Sequence, residues 1–432
     1  MPQSTLSNSL SCAFPKKSWV MVALAQLVVV AVLGLFLRYL QMGTLTGINF
    51  KFLLHAHSHV ALLGWLYSAA FLTLVTVYLP PAIASKRVYG WQFWLSQGAV
   101  VGMLVSFPVQ GYAAASITFS TLHILLSYWF IYQFLKDAKA TGVQEGRHQT
   151  SFAFVRAALF FLALSSLGPW AMGPIMATGH SGEPLYYNAI YFYLHFQYNG
   201  WFTFAVLGLL FWWLEHLGIV TPQQKRFKFV FHLFFWACLP AYLLSVLWVK
   251  PAMWVYWVGG VAGALQVAAG LLLLSFLWPQ RSFLLSQLKG WPRAFFLLSM
   301  TALALKLTMQ LVTAFPYMAQ LAFQVRHFII GYLHLVLIGG ISFFFMGFMA
   351  RMGWLAIKGW AGWGLGLFVA AFILSEGLLF LQGIFFWLGL GAIDRYALWL
   401  FLVSVFLPVG VLLLFAAQRK HAYHKKPPVM DS

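Results

Sequence analysis

Residues 55–59 read HAHSH, three histidines in five residues at the mouth of a long apolar run, FLLHAHSHVALLGW. Further histidines sit inside apolar stretches: His123 in ITFSTLHILLSYW, His195 in YFYLHFQYNGWF and His334 in RHFIIGYLHLVLIGG. An imidazole is costly to bury without a partner, and its neutral form is the commonest metal ligand. Ionisable groups inside a membrane are functional candidates by default. Two more answer that description, Lys306 in TALALKLTMQ and Glu376 in FILSEGLLF; each suits a proton path or a pair with a buried polar group.

The elements that hold these residues follow from composition. The chain has 432 residues, 62% of them hydrophobic and 8% charged. That leaves too little polar surface to coat a soluble domain. Apolar stretches of about 20 residues recur from end to end, the signature of membrane-spanning helices. The expectation is an all-α polytopic membrane protein without the alternating pattern of a membrane barrel. Twelve spans are expected, at about 19–40, 52–78, 90–108, 115–135, 152–172, 187–213, 228–248, 254–277, 293–314, 326–350, 360–388 and 396–417. They form one domain over 19–417, with tails at 1–18 and 418–432. The first apolar run is long enough to span, so no cleavable leader is expected. Two cysteines, Cys12 and Cys238, in unlike contexts do not make a disulfide framework, and no CxxCH is present for covalent haem.

The formal charge of +19 is distributed by side. Lys16, Lys17, Lys86, Arg87 and most other basic residues fall at alternate loops and at both ends. Only Arg38, Lys51, Lys250, Arg326 and Arg395 fall on the other side. This asymmetry predicts both termini in the cytoplasm of a multi-pass cell inner-membrane protein. The basic excess then marks topology and attraction to anionic lipid, not nucleic acid.

With that orientation, His59, His123, His195 and His334 lie on helices 2, 4, 6 and 10, each about 11–12 Å below the outer end. Four at one level favour a metal or haem role over four separate core histidines. His55 and His59 are about 40° apart around the helix and share a face, whereas His57 points almost opposite. His55, one turn nearer the surface, suits a haem propionate. His327 lies two turns above His334 and, with Arg326 and Lys51, suits carboxylates at the outer rim. The alternative is that His55, His57 and Arg326 line the interface, which is the reading favoured for His57. His232, His148, His216, His421 and His424 read as surface residues, and His180 lies in an outer loop. Gly64, Gly200, Gly331, Gly339 and Gly340 flank these histidines. They would admit a flat macrocycle or serve close helix packing.

Histidines on helices 2, 6 and 10 of a twelve-helix chain resemble the catalytic subunit I of haem-copper oxidases and nitric oxide reductases. The resemblance covers the architecture and three short motifs. It implies a low-spin b-type haem held between His59 (with His57 or His55 as rivals) and His334, whose HLVLIGG resembles the segment after the family's ligand. HFQYNGW resembles the reductase-type helix 6 motif, with Asn199 where an acid usually stands. That implies His195, and with it His123, facing copper or non-haem iron. The chain departs from the family at Tyr332, where a histidine binds the active-site haem, and in LLSVLWVKP, where a histidine pair is missing. Both departures strike the binuclear site. The chain is also similar to NnrS-type haem and copper membrane proteins, through HAHSH (Ser58 replacing an acid) and LHLVLIGGISFFFMGFMAR.

The function expected is therefore a membrane haem-binding redox protein with electron transfer and O2 or NO chemistry. Its donor would be an external quinol or cytochrome c, with small accessory subunits. Two other classes fit part of the pattern. A transporter would need a midplane substrate site, for which only Lys306 and Glu376 qualify. A metal chaperone or structural subunit would use the same histidines.

Overall fold

In lipid, a backbone N–H or C=O without a partner is expensive, so a spanning segment must bond within itself. The computed structural model describes residues 15–43, 45–143, 146 and 148–419, and every regular element among them is helical. Cys12, Arg147, His421, His424 and most of both tails lie outside the described residues. Twelve long rods follow in order. They are α1 (Lys17–Tyr39), α2 (Phe50–Tyr78), α3 (Arg87–Gln110), α4 (Ala114–Ala140), α5 (Gln149–Ala177) and α6 (Pro184–His216). Then come α7 (Lys225–Val249), α8 (Met253–Ser286), α9 (Trp291–Val312), α10 (Arg326–Arg351), α11 (Trp360–Trp387) and α12 (Tyr396–Gln418).

Eleven of the rods are long and apolar enough to cross a membrane, one fewer than the twelve spans expected. The exception is α6, diluted by His195, Gln197, Asn199 and several tyrosines. Its position explains this composition: every residue from His195 to Glu215 is buried. A rod wrapped by protein need not be apolar on a lipid face. The most apolar window of α2 is likewise 89% buried, against 28% for that of α4. Thus α2, α6 and α10 form the interior, and α1, α3, α4, α5, α7, α8, α9, α11 and α12 surround them. Lys17 Nζ donates to the Arg419 carbonyl at 3.0 Å, so both described ends lie at one end of the bundle. The opposite end, where α2, α6 and α10 begin, is called the upper end below.

The three inner rods share a device. Each changes to wider π-type turns at the residue after a histidine: Val60–Leu66 after His59, Phe196–Phe202 after His195, and Leu335–Ser342 after His334. A π turn inserts a residue and peels a carbonyl out of the helical ladder. Side chains meet two of those carbonyls: Thr203 Oγ1 donates to Tyr198 O at 2.6 Å, and Ser342 Oγ to Leu337 O at 2.7 Å. Trp65 Nε1 in turn donates to Ser342 Oγ at 2.8 Å, tying the π turn of α2 to that of α10.

A glycine stands five residues after each of these histidines, Gly64, Gly200 and Gly339. A Cβ on Gly200 would lie 2.5 Å from Phe161 Cβ, and one on Gly339 would lie 3.0 Å from the Phe372 ring. Close helix packing is thus a use these glycines have. Below the π turns, α2 packs against both α6 and α10. Above them, the upper halves of the three rods share no comparable interface. The histidines therefore stand at the upper edge of the tightly packed interior.

Candidate functional site

The upper half of α2 sends its histidines to two sides. His57 faces α1: its Nδ1 lies 3.1 Å from the Val30 carbonyl, and its ring stands against Gly34. From there it comes within electrostatic reach of His334 on α10 and of Arg38 on α1. His334 Nδ1 lies 3.1 Å from Glu376 Oε1 on α11. Both rings are thus held at Nδ1, one by a carbonyl and one by a carboxylate. Neither Nε2 has a hydrogen-bond partner among the described residues. That is the arrangement by which an outer partner orients a metal-binding histidine and fixes its tautomer. The His334 side chain is 29% exposed.

Charged groups line the same region. Arg38 is only 9% exposed, with Glu376 and Tyr396 in electrostatic reach. His327 packs between Phe386 and Tyr396, both ring centroids at 5.3 Å, and feels the Arg38 charge. Arg326 is exposed at the rim, on the side of Tyr191 from α6. The sequence reading missed Arg38. An arginine closing an apolar span is ordinarily an interfacial anchor, and the packing of α12 on α1 helps to bury it.

His59 goes the other way. Its Nδ1 bonds to the His55 carbonyl at 2.8 Å, and its ring lies 4.3 Å from that of Phe107. Tyr112 OH approaches its Nε2 at 3.4 Å, and the His55 ring meets the Tyr112 ring at 4.6 Å. Burial pushes the Tyr112 hydroxyl pKa well up, so it stays a donor. The shared face of His55 and His59, with His57 opposite, is as helical geometry requires. The pairing is not: the structure sets His57, not His59, on the side of His334. His55 correspondingly faces α3 and Tyr112 rather than the Arg38 rim.

His59 instead lines a cavity of about 250 Å³ with His123, Tyr112, Tyr128, Tyr193 and Gln197. His123 is 1% exposed, with its ring 4.6 Å from Tyr67. Its Nε2 stands beside the Leu63 carbonyl without a hydrogen bond of acceptable geometry.

His195 belongs to neither place. It takes up Cys238 O through Nε2 at 2.9 Å and meets Asn199 Nδ2 through Nδ1 at 3.0 Å. The Cys238 carbonyl is free because α7 tightens into 3₁₀ turns there, so that Tyr242 N bonds to Leu239 O at 3.3 Å instead of to Cys238 O. Nε2 therefore ties α6 to α7, while Nδ1 is met within α6 by Asn199 and approached by Ser245 Oγ of α7 at 3.4 Å. His195 and His123 do not converge, and among the described residues no three His, Cys, Asp or Glu side chains form a metal-binding group. Lys306, 3% exposed, lies near His195 and Cys238, while Glu376 pairs with His334, so the two buried charges serve different places. Tyr332 stacks edge-on towards Tyr198 at 6.2 Å.

The sequence matches no protein-family model and no curated protein.

Proposed function

We propose that this multi-pass membrane protein binds one b-type haem between His57 of α2 and His334 of α10 and uses it for electron transfer. The observation that carries the reading is the pair of rings, each pinned at Nδ1 and free at Nε2, on two rods and within electrostatic reach of one another. Carboxylate and carbonyl partners of this kind orient ligating histidines and raise their basicity. Arg38, with His327 and Arg326, supplies cationic and hydrogen-bonding groups for the haem carboxylates. A haem held by two histidines supplies one-electron redox chemistry and leaves no open position for a gas. His195 has both nitrogens occupied and His123 stands apart from it, so the reading includes no copper or non-haem iron centre. Electrons would come from an external quinol or cytochrome c in the cell membrane.

The test is a reduced-minus-oxidised visible spectrum with a pyridine haemochrome assay on the purified protein and three variants. Wild type and His59→Ala should give sharp b-type bands, whereas His57→Ala and His334→Ala should lose them. A colourless wild-type protein from a haem-sufficient host overturns the proposal. Loss in His59→Ala with retention in His57→Ala would restore His59 as the ligand.

A further inference from the structure

The cavity on the far side of α2 is unused by that function. It owes its existence to a break in α5. The rod stops at Ser165 and restarts at Leu167, with Pro169 and Pro174 in the upper piece. Gly168 lets that piece approach α6 so closely that a Cβ there would lie 2.4 Å from the Ala189 carbonyl. The upper piece therefore leans on α6 and shares no comparable interface with its other neighbour, α4. The gap between α4 and upper α5 is a side opening in the outer layer of helices, where a membrane protein meets lipid. Ile117 and Trp170, 44% and 43% exposed, flank it.

The inner wall is polar. Gln197 Oε1 is buried without a hydrogen-bond partner, on a residue 2% exposed, beside His123, which is 1% exposed with a ring nitrogen next to the Leu63 carbonyl. Gln197 is held in place from its other end, Nε2 donating to Ser165 Oγ at 2.9 Å. Leaving a buried polar atom unmet costs about 1–3 kcal/mol, so Gln197 Oε1 on the cavity wall points to a ligand that meets it. The side walls are aromatic: Trp170 Nε1 donates to Tyr128 OH at 3.0 Å, and Tyr128 OH in turn contacts Ser166 Oγ.

We infer that this cavity binds the ring of a lipid-soluble quinone or quinol, entering from the membrane between α4 and upper α5. A quinone ring is flat and apolar at its edges, with oxygen at two opposed positions. Those oxygens accept hydrogen bonds in the oxidised form and donate them in the reduced form. His59, whose Nδ1 proton goes to the His55 carbonyl, and Gln197 Oε1 can accept from the hydroxyls of the reduced form, and the Tyr112 hydroxyl can donate to the oxidised form. The isoprenoid tail stays in the side opening. His59 lies two residues from His57, on the opposite face of the same rod, which puts the ring about one helix diameter, ~10 Å, from the proposed haem. A role as electron donor rests on the haem reading; the binding itself does not.

The experiment is photolabelling of the full-length protein in detergent with an azido-ubiquinone, mapped by peptide mass spectrometry, with haem content measured on the same sample. Two variants accompany it. Gly173→Phe places a ring at the mouth, where a Cβ meets nothing within 4 Å, and His123→Phe removes the inner polar group. Expected is labelling within 112–128 and 165–197 that excess decylubiquinone suppresses and that falls at least tenfold in both variants. Labelling spread over the outer helices, labelling unchanged in Gly173→Phe, or equal suppression by oleic acid overturns the inference. Specific labelling of a protein without haem would leave the quinone site standing and remove the haem reading.

Discussion

Glu376 Oε1 lies 3.1 Å from His334 Nδ1, across the contact between α11 and α10. The carboxylate is nearly buried and its other oxygen has no hydrogen-bond partner. An ionised group in that position orients the imidazole and makes it a stronger ligand. Glu376→Gln keeps the shape and removes the charge. We expect haem affinity to fall by about 10–100-fold, with a more positive midpoint potential, read by titrating haem into the haem-free variant and by potentiometry. Unchanged affinity and potential would show that the carboxylate does not act on the haem.

His195 is predicted to be structural. Removing its ring in His195→Ala leaves the Cys238 carbonyl unmet beside the turn at Pro240, a loss of about 1–3 kcal/mol. Thermal unfolding in detergent should show this loss, while metal content and the b-type spectrum stay as in wild type. A drop in bound copper or iron would instead restore the ligand role suggested by HFQYNGW.

The close approach of α5 to α6 predicts an asymmetry between two glycines of neighbouring rods. A Cβ at Gly200 would lie 2.5 Å from Phe161, whereas at Gly173 it would meet nothing within 4 Å. Gly200→Ala should cost about 1–3 kcal/mol by overpacking. Gly173→Ala should leave melting in detergent unchanged or slightly raised. Equal melting for both variants would contradict this packing.

At the lower end, Asp137 of α4 accepts from Lys86 Nζ at 2.7 Å, Tyr89 OH at 2.8 Å and Gln133 Nε2 at 2.8 Å. Its side chain is 6% exposed. Asp137→Ala strands the Tyr89 hydroxyl and the Gln133 amide, while Lys86, 41% exposed, turns to water, and should cost about 1–3 kcal/mol. Lys86→Ala should cost less, because Tyr89 and Gln133 still satisfy the carboxylate. The comparison is made by thermal unfolding of the two variants, and a larger loss in Lys86→Ala would refute the ranking.

Much of the architecture was legible in the chain, and the reason is local. Apolar runs of spanning length leave the backbone no partner except itself, so α1–α5 and α7–α12 follow from composition. Periodicity alone put His55 and His59 on one face and His57 on the other. It also brought out His334 and Glu376, because a titratable group in an apolar run stands out without any structure. What the chain could not tell by itself was which face of α2 met α10. That depends on how α1 and α3 pack on α2 and α11 on α10, and no local pattern encodes such long-range packing. The same packing buries Arg38, assigns both nitrogens of His195 to a carbonyl and an amide, and makes α6 an interior rod whose polar residues never face lipid. The π turns after His59, His195 and His334 belong there too, since an inserted residue survives only where Ser342, Thr203 and the neighbouring rods meet the carbonyls it frees.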